Sequence, residues 1–168
     1  DWNTNLTDGP GPFAMVVLMS SILGRCTQYL CGERDDIPPW DTRSEYSVIG
    51  TQLLLFESYA KMGAAARLDA ILKSAPQACQ VGAVNQQTLG HHVFAHVLFN
   101  LCHCLLKHPF LLHICCKSVG SKVPRSFLAR ALQTGIEHAT LLVDILQTAS
   151  QAGIRTESSF YSYCAAVA

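Results

Sequence analysis

Between Asp69 and Glu137 the chain contains no acidic residue, and from His91 to Cys164 its apolar residues recur every three or four positions. That combination leaves few folds open. Spacing of this kind puts apolar side chains on one face of an α-helix, whereas a half-buried strand would alternate at every second residue, and no stretch alternates convincingly. No repeat of fixed period emerges either, so the expected fold is all-α: an irregular multi-helix domain.

The helices can be placed from their local signals. Gly9, Pro10, Gly11 and Pro12 make residues 1–12 an irregular lead-in. A first helix is expected from Phe13 to Leu30. A long loop over 31–43 follows, carrying Pro38, Pro39 and Trp40, with Trp40 expected to anchor on the core. Asp41 or Ser44 can cap the next helix, Glu45 to Met62, through a side-chain oxygen that accepts an unpaired backbone N–H. In that helix Tyr46, Ile49, Leu53, Phe56 and Tyr59 or Ala60 share a face. A weaker helical piece is expected over 64–73 and a loop from Ser74 to Val84. A long helix then opens at Gln87 or Thr88 and ends near His108, because Pro109 disfavours the helical conformation of the residue before it and suits the first turn of the next helix, 109–117. After Gly120–Pro124, a helix from Arg125 or Ser126 to Ala152 keeps Phe127, Leu128, Ala131, Leu132, Ile136, Ala139, Leu142, Val143 and Leu146 in near-helical period, with Gly153 as its stop. The last helix begins at Ser158 or Ser159.

Composition bounds the function. At 168 residues, 49% hydrophobic and 14% charged, the chain can bury a sizeable core but has little polar material to solvate a whole surface. It is therefore expected to be a piece of a larger helical region. Twelve basic residues balance twelve acidic ones, which argues against a basic footprint for nucleic acid. The apolar run Phe13–Leu23 is shorter than the ~20 residues of a membrane span, and Val93–Cys116 is interrupted by His96, Asn100, His103, Lys107 and His108. No membrane association is expected from either. Of eight cysteines, Cys26, Cys79, Cys102, Cys104, Cys115 and Cys116 sit in apolar or helical surroundings, as small hydrophobes of a reducing compartment do.

Chemistry-bearing clusters are few. His92, His96 and His103 can share one helical face and are candidate metal ligands, but the position after His92 is Val93, where a catalytic zinc helix carries glutamate. Cys102, His103 and Cys104 are adjacent on a helix and point about 100° apart, too divergent for one ion. No Gly-x-Ser-x-Gly elbow is present. Enzymatic activity is not expected; a helical metal-binding protein or hydrolase using His92, His96 and His103 is the alternative. The aromatic residues Trp40, Phe127, Phe160, Tyr161 and Tyr163 are candidates to line a small-molecule pocket.

Several short patterns run in order along residues 40–164. Pro39-Trp40-Asp41-x-Arg43-Ser44-Glu45-Tyr46 resembles the Pro-Trp-Asp-x-x-Ser-Glu-Phe opening of the middle homology region of fungal zinc-cluster transcription factors, the xylanolytic-activator-type regulatory domain. His96 with Leu98 and Phe99, then Leu105-Leu106-x-His108-Pro109-Phe110, resembles the family's Leu-His-x-x-Tyr and Leu-Leu-x-x-Pro-Phe helix pair. Ser126-Phe127-Leu128, Gly135, His138-Ala139 and Ser158-Ser159-Phe160-Tyr161-Ser162-Tyr163-Cys164 complete the pattern, with Gly135 where the family commonly has cysteine and Ser162 where it has glycine. The resemblance implies a nuclear regulator of RNA polymerase II transcription of metabolic genes, in which residues 1–168 form part of the regulatory domain. The implied partners are a small-molecule inducer, co-regulators or a second copy of the chain. DNA contact and zinc would belong to a separate six-cysteine module with Cys-x-x-Cys pairs, a spacing absent from this chain, so no cofactor is expected here.

Overall fold

A computed structural model describes residues 11–32, 37–60, 83–117, 123–156 and 158–167. The described residues form six helices and no strand: α1 (Pro12–Cys31), α2 (Glu45–Ala60), α3 (Ala83–Lys107), α4 (Pro109–Lys117), α5 (Arg125–Gln151) and α6 (Ser159–Val167). The fold is all-α. The helical piece expected over 64–73, most of the loop before α3, the lead-in 1–10 and Cys79 lie outside the described residues.

The organising element is α3, which is apolar nearly all round and therefore buried nearly all round. One stripe, Ala95, Leu98, Phe99, Cys102 and Leu106, packs with Met15, Met19 and Cys26 of α1 and with Ile49, Leu53 and Phe56 of α2. The opposite stripe, Leu89, Val93, Val97, Leu101 and Cys104, packs with Leu142, Ile145 and Ala149 of α5 and Cys164 of α6. One helix thus carries both halves of the core. α1 and α3 are each long and apolar enough to cross a membrane by length and composition, so shortness of the Phe13–Leu23 run does not itself exclude a span. In α3, however, 72% of the apolar window is buried against its neighbours, against 17% in α1. The apolar character of α3 is accounted for by the core, and that of α1 leaves Phe13, Val17 and Leu18 exposed.

Helix ends follow local chemistry. Pro12 stands in the first turn of α1, one residue earlier than expected. Pro109 opens α4, and Leu112 N–H donates to the His108 carbonyl at 2.9 Å. α5 ends in a Schellman motif: Gly153, at φ 76°, donates to the Ser150 carbonyl and Ile154 to the Ala149 carbonyl, both at 3.0 Å. α3 begins at Ala83, ahead of the expected Gln87 or Thr88. Nothing between Gly82 and Thr88 breaks a helix, and each residue added to an existing helix gains a hydrogen bond, so Ala83 and Val84 join it rather than the loop.

Between the two capping candidates, Ser44 is the one used. Its Oγ accepts from Ser47 N–H at 3.1 Å and donates toward the Asp41 and Pro39 carbonyls, while Asp41 Oδ1 accepts from Arg43 N–H. These bonds tie the Trp40 loop to the start of α2. Ser44 is buried, so Ser44→Ala is expected to cost about 1–2 kcal/mol in urea unfolding, at the upper end for a lost cap; a loss within about 0.3 kcal/mol would mean the loop does not depend on it.

Sharing a helical period does not make every such residue buried. Tyr59 of α2 is exposed, and so are Leu128, Leu132, Ile136 and Val143 of α5. The buried line of α5 is instead Ala131, Leu142, Ile145 and Ala149. The apolar sector of α5 is wider than the surface α3 and α6 offer it, and the excess borders open clefts beside α4 and the end of α3.

Candidate functional site

In α3 the polar residues Asn100, His103 and Lys107 occupy positions i, i+3 and i+7 and so line one side of an otherwise apolar helix. Across from them runs α5. It approaches closely at Gly135, where a β-carbon would lie 3.4 Å from Lys107 Cβ. This crossing brings His138 onto the α3 polar line.

The amide of Asn100 is oriented by its partners. Nδ2 donates to the His96 carbonyl at 2.8 Å, which turns Oδ1 toward His138 Nδ1, 2.9 Å away. A carbonyl oxygen only accepts, so His138 carries its proton on Nδ1 and presents Nε2 as a lone pair. The His138 ring then stacks on His103, with centroids 3.8 Å apart and planes 2° from parallel. Phe99 closes the pair edge-on, 4.8 Å from His103 and 5.6 Å from His138.

Stacked imidazoles at this distance tolerate little charge. Burial, with the neighbouring Lys107 ammonium, holds His138 down to about 4. Burial first, then His138 and Lys107, lowers His103 to about 2, and burial with His92 lowers His96 to about 4. All three are neutral near pH 7. His103 is only 5% exposed, yet neither of its ring nitrogens has a hydrogen-bond partner among the described residues. Each such orphan costs about 1–3 kcal/mol relative to a satisfied group.

Beside the stack lies a cleft of about 720 Å³, lined by His103, Lys107 and His138 and by the aromatic trio Trp40, Tyr46 and Phe127. Phe127 is the hub of the trio, 5.6 Å edge-on from both Trp40 and Tyr46. The Lys107 ammonium sits 5.9 Å over the Tyr46 ring. Burial depresses Lys107 and pushes Tyr46 up to about 12. Glu57 and Arg130 also border the cleft, and neither forms an ion pair among the described residues.

The residues expected from sequence are dispersed by this arrangement. His92, His96 and His103 lie on one continuous helix; His92 and His103 are about 16 Å apart along its axis at ~1.5 Å per residue. Only His103 reaches the cleft, and no group of three metal-ligating side chains occurs among the described residues. The five aromatic candidates split. Trp40 and Phe127 line the cleft, whereas Phe160 and Tyr161 pack on Phe94 at 5.4 and 6.1 Å, more than two helical turns back along α3. Tyr163 is 60% exposed. They do not form one pocket.

Sequence reading overlooked Asn100 and Lys107 as site residues and gave His138 no chemical role. A signal existed: a polar line at helical spacing through an apolar helix marks either a wet face or a polar partner. The cysteines stand apart from the cleft chemistry. Cys26, Cys102, Cys104, Cys115, Cys116 and Cys164 are buried free thiols and Cys31 is exposed. Burial pushes Cys104 and Cys164 up to about 11. Cys31 is therefore expected to react rapidly with a thiol reagent in the native state, joined at most by Cys79, with the six buried thiols reacting only on unfolding. Rapid reaction of three or more would show that the core opens.

No family model, curated protein or solved structure matches the chain.

Proposed function

We propose that the chain is the ligand-responsive regulatory domain of a fungal zinc-cluster transcription factor, acting in the nucleus on RNA polymerase II transcription of metabolic genes. The observation that supports this reading is convergence. Residues that carry the resemblance lie far apart in sequence, yet Pro39, Trp40 and Tyr46 from the first pattern, Ser126 and Phe127 from the third and His138 from the His-Ala pair border a single cleft. Others, among them Leu98, Phe99 and Leu106, pack in the core, while these six surround a space large enough for a small molecule.

The mechanism is a population shift. A ligand bound between the Trp40 loop, the end of α3 and the start of α5 favours one arrangement of these elements, and that arrangement restrains or releases the activation segment of the parent protein. Zinc and DNA contacts belong to the separate DNA-binding module. The test is a reporter assay in which the chain is placed between a heterologous DNA-binding module and an activation segment. Inserting it should change reporter output several-fold, and Phe127→Ala should return output toward that of the fusion without it. Equal output with and without the chain, across growth media, would sink the reading.

A further inference from the structure

The cleft states the chemistry of what it holds. Its deepest polar group, His103, is more than nine-tenths buried, and its ring nitrogens, sealed from solvent, have no hydrogen-bond partner among the described residues. Lys107 adds a half-buried cation with no carboxylate within ion-pairing reach among the described residues. Trp40, Tyr46 and Phe127 supply a contiguous aromatic wall next to that ammonium. Two cations, Lys107 and Arg130, face one carboxylate, Glu57, around the cleft.

We propose that the cleft binds a small aromatic carboxylic acid, its carboxylate held by Lys107 Nζ beside the His103–His138 stack and its ring laid against Trp40, Tyr46 and Phe127. Such a ligand answers the cation and the aromatic wall at once. The carboxylate accepts from Lys107 Nζ and pairs with its charge, and the aromatic body covers the apolar wall. A phosphate-type dianion fits less well, because Lys107 and Arg130 are already partly offset by Glu57 and a second negative charge would be left unpaired. An organic cation would face Lys107 and Arg130 with only Glu57 to offset them. The neutral His103–His138 stack adds no charge, so a monoanion leaves the site near balance.

This inference deepens the reading of the cleft as a regulatory ligand site and rests on it. The experiment is calorimetric titration of the chain with three probes of one shape: benzoate, benzamide and benzylamine. Benzoate should bind at least tenfold tighter than benzamide, benzylamine should not bind, and Lys107→Met, which keeps the packed aliphatic stem, should abolish the preference for benzoate while Lys107→Arg retains most of it. Benzamide binding as tightly as benzoate, with affinity lost in Trp40→Phe but not in Lys107→Met, would overturn the anion preference and leave the ligand cleft standing. Absence of binding by all three up to about 10 mM, weaker than about 3 kcal/mol of affinity, would overturn both. Thermal melts of each variant show that it is folded.

Discussion

Acidification from pH 7 to pH 5 is expected to remove about 4–5 kcal/mol of folding stability, close to the whole stability of a typical domain. The source is the set of buried imidazoles. His96 and His138 are depressed to about 4 and His103 to about 2, in each case chiefly by burial, whereas an unfolded histidine titrates near 6.5. Between those values the unfolded chain binds protons that the folded chain refuses. The contribution is therefore complete above about pH 6.5 and is lost as pH falls toward the folded values, with a slope of about 3–4 kcal/mol per pH unit for two to three protons. Urea midpoints measured by circular dichroism from pH 8 to pH 4.5 would give the slope. His138→Gln should reduce it by about one proton, or 1.4 kcal/mol per pH unit. A flat midpoint down to pH 5 would mean that water reaches the stack. Asp41, which Arg43 holds down to about 2, acts only in a more acid range and does not blur this window.

Leu98→Ala should cost 3–5 kcal/mol, about the loss expected for a large cavity in rigid surroundings. Leu98 is 2% exposed and sits where α3 meets both α1 and α2, so three helices would have to move to close the void. By contrast, Leu132 on α5 is 49% exposed, and Leu132→Ala should cost no more than about 0.5 kcal/mol in the isolated chain. The pair of values tests the assignment of faces. Comparable losses at the two sites would show that the outer sector of α5 is covered in solution, either by another part of the chain or by a second copy, and a concentration-dependent midpoint would identify the second copy.

Local chemistry was legible in the residues themselves. The start of α4 and the end of α5 were marked by Pro109 and Gly153, and the start of α2 by the pair Asp41 and Ser44, because a missing N–H, a positive φ and a side-chain acceptor act within one helical turn. The same holds for the helical class of the fold: an apolar period of three to four residues is a property of one segment alone. Which part of an apolar sector is buried is not. Leu132 and Leu142 follow the same period on α5, yet one is exposed and the other sealed, since burial depends on where α3 and α6 cross. The cleft is the extreme case. His103 and His138 stack only because α5 meets α3 closely at Gly135, and Trp40 joins them only because the Ser44 bonds hold its loop against Phe127. Sequence by itself determined the helices, their caps and the apolar material for a core. Helix crossing decided which polar side chains share a cleft, because desolvation and unmet hydrogen bonds arise between segments and have no signature within any one of them.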